Sequence, residues 1–470
     1  ADVRRSGVVV NYAGTGSTDG RSQFIQGTVD FANTEIPFQN PPEPGQQAEI
    51  PDRPYAYVPI VAGGTSFMYN LTVGGQRVRD LRLSGPTLAG IFTGSITRWN
   101  DPAITKDYGK QLPDIPIIPV VRSDGAGATA QFTKYMIDQT PSQYCPFIRT
   151  ELHLSGSTCP SVSFYPAFGN SKAQVGSNGV ANYVSASYGA GSIGYVEYAY
   201  AKRIDFPVVS LLNKAGYFTQ PNAGNVAVAL TGAKINSDLT QNLHDVYTNP
   251  DKRTYPMSSY SYMVVPTTTD APFNADKGRT LSTFINYFLC QGQQKADILG
   301  YSPLPKNLVE AGFAQVKRIP GHVNPPSISQ CANPALNILK QAPYPSTCDK
   351  LGSSCTTTNS GGGTTTSGGT TTSGGTTTSG GTTAGGTTTT GGGTGTTTGG
   401  SGQSPGAVDP LTGATTTTTD GTTLTSAATA SPVEVTGGRS GQMRAAGWVA
   451  ALMLALTVIV PPFLVKRLRK

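Results

Sequence analysis

Residues 1–350 are expected to form an α/β fold of layered, mostly parallel sheets. Short β-branched and aromatic runs alternate with stretches of helical character, as α/β layers require. Some of those runs end in a Gly-rich turn that opens into a helix, which is where such sheets place their ligands. The region mixes apolar runs, aromatics and scattered Pro, a globular composition.

In chain order, strands are expected at 8–12 ("VVVNY"), 56–61 ("AYVPIV"), 115–121 ("IPIIPVV"), 192–195 ("SIGY") and 262–265 ("YMVV"). Helices are expected at 87–92 ("TLAGIF"), 128–136 ("ATAQFTKYM"), 279–290 ("RTLSTFINYFLC") and 308–316 ("LVEAGFAQV"). The rest of the chain is different. Beyond residue 350 it is almost entirely Thr, Gly and Ser up to residue 436, with a repeated "SGGTTT". So polar a repeat cannot bury a core, so 351–444 reads as a disordered stalk. As a random coil, about 85 such residues span roughly 50 Å. Residues 445–465 carry no charge over 21 positions, enough for one transmembrane helix, and "KRLRK" at 466–470 marks the cytoplasmic side. The globular part is then extracytoplasmic.

Export bears on the six cysteines, Cys145, Cys159, Cys290, Cys331, Cys348 and Cys355. An even count in an oxidising place favours disulfides over metal ligation. Proximity favours Cys145–Cys159 and Cys348–Cys355, which leaves Cys290–Cys331. The chain as given starts at Ala1-Asp2 with no apolar leader, so a processed or incomplete N-terminus is expected. The net charge of +7 dissolves on partition: residues 1–350 hold 28 basic and 24 acidic residues with no basic run, so nucleic acid is not an expected partner.

Two turns attract attention. In "VVVNYAGTGSTDGRSQF", residues 8–24, a β-branched run meets Gly14-Thr15-Gly16-Ser17-Thr18. The backbone N–H groups of a helix start, helped by the Ser17 and Thr18 hydroxyls, suit an anion; an ordinary capped turn is the bland alternative. In "PVVRSDGAGATAQFTKYM", residues 119–136, the same junction carries Arg122 and Asp124 beside Gly125-Ala126-Gly127. A guanidinium next to free amides suits a tetrahedral oxyanion, whereas an Arg122–Asp124 surface pair beside a plain cap would do nothing. Other motifs point nowhere. "GAGSIG" at 189–194 has dinucleotide spacing, but no helix is expected directly after it. His153, His244 and His322 stand far apart, and neither a zinc motif nor a nucleophile elbow occurs, so no metal, cofactor or catalytic set is nominated.

The segments "VNYAGTGSTDGRSQFIQGTVDFANTEIPF", "LRLSGPTLAGIFTGSITRWNDPAI", "VVRSDGAGATAQFTKYM" and "GAGSIGYVEYAYAKR" together resemble the phosphate-binding proteins of bacterial ABC phosphate importers, in order from residue 1 to about 320. The resemblance implies a two-lobed type II periplasmic-binding-protein fold that closes on dehydrated phosphate. Lobe 1 would hold 1–70 and 256–350, and lobe 2 would hold 71–255. Matched position by position, it implies Ser17 as a phosphate ligand at the first helix start and Arg122 as the guanidinium, held by Asp124. Gly127 would supply an amide. Glu35 stands where the family has an Asp that accepts the hydrogen of a protonated phosphate, a filter against sulfate.

The chain departs from that pattern in two ways. Ala126 and Ala128 replace a Ser and a Thr, and Thr129 lies one position late. The family's first strand and its Thr-bearing loop have no counterpart, which suggests a sequence that starts too late rather than a degenerate copy. The implied function is a membrane-anchored extracytoplasmic protein that binds inorganic phosphate and passes it to an ABC permease, without covalent chemistry. A surface sensor or adhesin with weakened anion binding, or a phosphatase-like enzyme on the same site, are the competing expectations.

Overall fold

The structure, a computed structural model, describes residues 7–353. The expected stalk beyond Ser353, the span 445–465, the tail 466–470 and Cys355 lie outside the described residues. Among the described residues no helix is long and apolar enough to cross a membrane.

The elements that position the site are, in order, α1 (Ser17–Ile25), β1 (Ala32–Thr34), β2 (Tyr55–Tyr69), α2 (Gly85–Phe92), β3 (Ile118–Arg122), α3 (Gly127–Gln139), β4 (Lys172–Gln174), α4 (Gly176–Ser185), β5 (Ser192–Glu197), β6 (Ser258–Pro266), α5 (Ala275–Leu289) and α6 (Lys306–Val316). Six strands form one sheet in the order β1-β6-β2-β5-β3-β4. In this sheet only the pairs β5/β3 and β3/β4 are parallel. The pairs β1/β6, β6/β2 and β2/β5 are antiparallel, so the sheet is mixed and the expectation of mostly parallel strands is corrected. The cause is β2. Nine of its first ten residues pair with β6, from Tyr55 opposite Pro266 to Gly64 opposite Ser258, with a bulge at Ile60. Its last five pair with β5, from Thr65 opposite Glu197 to Tyr69 opposite Ile193. One strand of "YAYVPIVAGGTSFMY" therefore runs through both halves of the sheet, and the chain returning along β6 has to run against it. Its β-branched and aromatic side chains are buried along almost its whole length, as a strand covered on both faces demands.

The second expectation to fall is the strand at 8–12. These residues take no regular structure. A strand needs a ladder partner for its N–H and C=O groups, and among the described residues no strand lies beside this run. Val9 and Tyr12 remain about half exposed, at 47% and 50%. The strands expected at 56–61, 115–121, 192–195 and 262–265 and the four expected helices all form, with ends shifted by a few residues.

Packing fixes the helices on the sheet. Phe132 of α3 meets Phe67 of β2 at 5.0 Å, Phe92 of α2 at 5.1 Å and Tyr195 of β5 at 5.5 Å between ring centroids. Met68, Val120, Val180, Val184 and Val196 form a smaller cluster on the opposite face. The glycines of "GAGSIG" serve this packing. Gly191 has φ +81°, and a Cβ there would lie 2.8 Å from the Pro116 carbonyl, while a Cβ on Gly194 would press on Val180. The following "YVE" completes β5, and a short helix spans Tyr198–Arg203. The bridges Cys145–Cys159 and Cys290–Cys331 are formed. Cys348 is also disulfide-bonded.

The Cys145–Cys159 bridge closes a loop of 14 residues that includes the end of the helix Pro141–Glu151. Replacing both cysteines by Ser is expected to lower the unfolding free energy by about 3 kcal/mol, the chain-entropy scale for such a loop. A denaturant midpoint equal to that of the wild type would show that the bridge does not constrain the unfolded chain.

Candidate functional site

Two helix starts face each other across the fold. α1 begins after Gly16, and α3 begins after Ala126; neither has a side-chain cap on its first N–H groups. Both helices therefore direct uncapped amides, and the positive end of a dipole, toward one place. Gly16 has φ +101°, and a Cβ on it would lie 2.7 Å from Asp124 Oδ2. The two turns touch directly: Thr18 N donates to the Gly125 carbonyl at 3.1 Å. The Thr18 hydroxyl accepts from Arg21 Nη2 at 3.4 Å. A Cβ on Gly127 would fall 2.6 Å from Ser17 Oγ and 2.8 Å from Glu35 Oε2. Residues from α1, from the end of β1 and from α3 thus converge on the Gly127 backbone.

Arg122 ends β3 and is almost wholly buried, at 4% exposure. Asp124 holds it in a forked pair, with Arg122 Nε donating to Oδ1 at 2.7 Å and Nη2 donating to Oδ2. Nη1 donates to Ser177 Oγ at 3.0 Å, and Ser177 Oγ donates to Glu197 Oε2 at 2.6 Å. The Gly176 N–H, at the start of α4, donates to Asp124 Oδ1 at 2.8 Å. Burial works to lower the pKa of Arg122, but the Asp124 bond and charge and the Glu197 charge outweigh it and hold the value above the ordinary one. Burial likewise works to raise Asp124, and the Arg122 bond and charge with the Gly176 N–H hold it below the usual carboxylate range. This is a built, desolvated pair and not a surface contact.

Glu35 follows β1. Burial pushes its carboxyl well above the usual range, the Glu197 charge adds to that, Arg122 opposes it, and a hydrogen bond with Glu197 favours the protonated form. Its Oε2 is buried with no hydrogen-bond partner. Its backbone carbonyl accepts from Gln131 Nε2 of α3 at 2.7 Å. On its other side opens a cavity of about 350 Å³, lined by Gln131, Lys134, Asn236, Gln241 and His244 among others. The Tyr301 phenol is raised, chiefly by burial and further by the Glu197 and Glu35 charges.

The structure therefore brings Ser17, Thr18, Glu35, Arg122, Asp124 and Gly127 together. Thr129 is directed elsewhere: its hydroxyl meets the Tyr195 hydroxyl at 2.8 Å, and Tyr195 also accepts from the Arg122 N–H. Ala126 and Ala128 are buried at the start of α3. Sequence reasoning missed Ser177, Glu197, Tyr195 and Tyr301. Glu197 and Tyr195 lie within "GSIGYVEYAYA", a segment distinctive enough to have drawn attention to its one acidic residue; Ser177 and Tyr301 carry no such signal. Among the described residues no cluster of His, Cys, Asp and Glu could hold a metal ion. His244 pairs with Asp138 at 2.6 Å, and His322 contacts its own turn.

A family model described as a PBP superfamily domain matches residues 3–291. The phosphate-binding protein PstS of Pasteurella multocida is 34% identical over 320 residues, 67% of this chain and 83% of that protein. The phosphate-binding protein PstS of Xylella fastidiosa (strain Temecula1) is 32% identical over 65% of this chain and 76% of that protein. A solved phosphate-binding protein from Stenotrophomonas maltophilia aligns at 21% identity and a TM-score of 0.48, over 68% of this chain and 91% of that one. The family model and the PstS relatives place the chain in the PBP superfamily, among the phosphate-binding proteins of the PstS family.

Proposed function

We propose that the chain binds inorganic phosphate where α1 and α3 begin. It would do so outside the cytoplasm, held at the membrane by residues 445–465, and would deliver phosphate to the permease of an ABC importer. One observation carries the reading: two uncapped helix starts and the buried Arg122 guanidinium converge on one point. Backbone N–H groups and an Arg fork are the donors that a desolvated tetrahedral oxyanion needs. Ser17 and the amides beside Thr18 and Gly127 would bind from the two helix starts, Arg122 would supply the charge, and Asp124 would hold Arg122 in place. Glu35 would stand against the phosphate hydroxyl. In this reading lobe 1 comprises 1–70 and 256–350, and lobe 2 comprises 71–255. The Thr18–Gly125 and Gln131–Glu35 hydrogen bonds then join the lobes in the closed state. In this reading the chemistry ends at binding. The relatives' printed names, as phosphate-binding proteins, support the same ligand.

Calorimetric titration of the full chain with phosphate is the direct test, and absence of binding would refute the reading. Arg122→Ala should weaken phosphate by at least about 2 kcal/mol, the scale for losing a charge-assisted contact in a dry site. Unchanged affinity would mean that the anion sits elsewhere. Gly127→Ala should weaken it by about 1–3 kcal/mol, because the new methyl occupies the space between Ser17 Oγ and Glu35 Oε2 and forces the turn to shift. An alanine variant that binds as tightly as wild type would show that this backbone does not approach the ligand.

A further inference from the structure

The cavity beside Glu35 has no role in phosphate binding as proposed above. Its volume is about 350 Å³, room for about ten water-sized groups and within the range of small-molecule sites. Of the proposed phosphate ligands only Glu35 lines it. One wall is a single face of α3, along which Gln131, Lys134 and Asp138 follow one another at helical spacing. Another is the hairpin that pairs Lys234–Ile235 with Gln241–Asn242, together with the short helix His244–Tyr247 after it. Specific bonds hold these walls. Gln241 engages Tyr260 of β6 with both ends of its amide: Nε2 donates to the Tyr260 carbonyl at 2.9 Å, and Oε1 accepts from the Tyr260 N–H at 2.7 Å. His244 Nδ1 pairs with Asp138 Oδ2 at 2.6 Å, and the Tyr247 ring meets Tyr135 of α3 edge-on at 5.3 Å. The hairpin, α3 and the sheet are thus fixed to one another around the cavity.

Lys134 lines this cavity without a partner. Among the described residues its ammonium makes neither an ion pair nor a hydrogen bond. The carboxylates around it are engaged elsewhere. Glu43, whose charge acts on Lys134, accepts from the Ser163 N–H and hydroxyl at 2.6 Å each. Asp138 is held by His244 and by Gln139 Nε2, each at 2.6 Å. Glu35 turns its Oε2 to the Gly127 backbone. Burial pushes the Lys134 pKa down, and an ammonium drawn out of water gains from an anion that replaces its lost hydration. Gln131 lines the same cavity at 5% exposure. Its Nε2 is committed to the Glu35 carbonyl at 2.7 Å, which fixes the orientation of the amide, and its Oε1 is buried with no partner. An unpaired cation and an unpaired acceptor therefore stand about one turn apart on α3.

We propose that this cavity is a second ligand site, for a small hydroxylated carboxylate: Lys134 takes the carboxylate, and Gln131 Oε1 accepts from a hydroxyl. The chemistry of the walls selects that class. Lys134 is the one cation without a carboxylate partner there, so a single negative charge is matched. The guanidinium and the helix starts that suit a phosphate dianion lie at the other site and do not line this one. The amides of Asn236 and Asn242 can donate to further hydroxyls or accept from them. Leu243, Tyr247 and Pro37 add apolar surface for a short carbon chain to cover. The proposal does not depend on the phosphate-binding reading, because the two sites share only Glu35.

The test is calorimetric titration of the full chain with gluconate and with sorbitol, which carries a hydroxymethyl group in place of gluconate's carboxylate. Each is titrated with and without saturating phosphate. Wild type should bind gluconate at one site per chain and sorbitol at least about tenfold more weakly, the effect of losing one charge-assisted contact. Saturating phosphate should leave gluconate bound. Lys134→Met, which keeps the length of the side chain and removes its charge, should weaken gluconate by at least about tenfold and leave phosphate affinity unchanged. No binding of gluconate, equal binding of sorbitol, displacement of gluconate by phosphate, or unchanged gluconate affinity in Lys134→Met would each overturn the proposal. Should Lys134→Met fail to fold, the gluconate–sorbitol difference and the phosphate challenge on wild type decide it. A chain that binds phosphate and not gluconate overturns this proposal alone, and one that binds gluconate and not phosphate overturns only the phosphate reading.

Discussion

The buried guanidinium of Arg122 is the group around which this part of the molecule is organised. A cation taken out of water must be neutralised and must have its N–H groups satisfied, or the fold loses several kcal/mol. Asp124 does the first, and with the Ser177 hydroxyl it takes three of the five N–H groups. Each of those partners is fixed by a different element: Asp124 by the turn after β3 and by the Gly176 N–H, Ser177 by the first turn of α4. β3, the turn to α3 and the start of α4 are thereby locked to one another. The strand position of Arg122 is itself held by β5 through the Tyr195 hydroxyl. The donors left over for a ligand are the remaining Arg122 N–H groups, the Ser17 hydroxyl and backbone amides, which need no further orientation.

That arrangement explains why glycine and not a polar side chain stands at the meeting points. At Gly16 and Gly127 the neighbours come nearer than a Cβ permits, and both positions lie at the mouth of a helix. The helix starts were left without side-chain caps at the same two places. A helix start without a side-chain cap costs stability when it faces nothing, so two of them turned toward one point are where the proposed anion would complete them.

Much of the fold was legible because burial leaves a pattern. The runs that become β2, β3, β5 and β6 are apolar enough to be read as strands, and the "SITRWNDPAI" and "GYVEYAYA" segments carried the family resemblance. The failures have physical causes. "VVVNY" has the composition of a strand but joins none of the sheets among the described residues, so composition alone misled. Strand direction was misjudged because it depends on where the long β2 finds its neighbours, a property of the whole chain. At the candidate site, motif position alone named Ser17, Glu35, Arg122, Asp124 and Gly127, which the fold brings together. Ser177 was invisible, since a serine at a helix start looks like any other. Glu197 was in plain view within a quoted motif, but its link to Arg122 runs through Ser177, a contact only the fold makes.

The fifteen-residue strand β2 has a consequence for modularity. Its hydrogen bonds belong to both halves of the sheet, with the change of partner falling between Gly64 and Thr65. Neither half owns a complete set of strands without it. A gene fragment that ended at that junction would leave an open sheet edge on each piece, with unpaired backbone groups ready to join other chains. The two halves are therefore inherited as one indivisible unit, and an insertion or exchange of sequence is tolerated in the loops that leave the sheet but not along this strand.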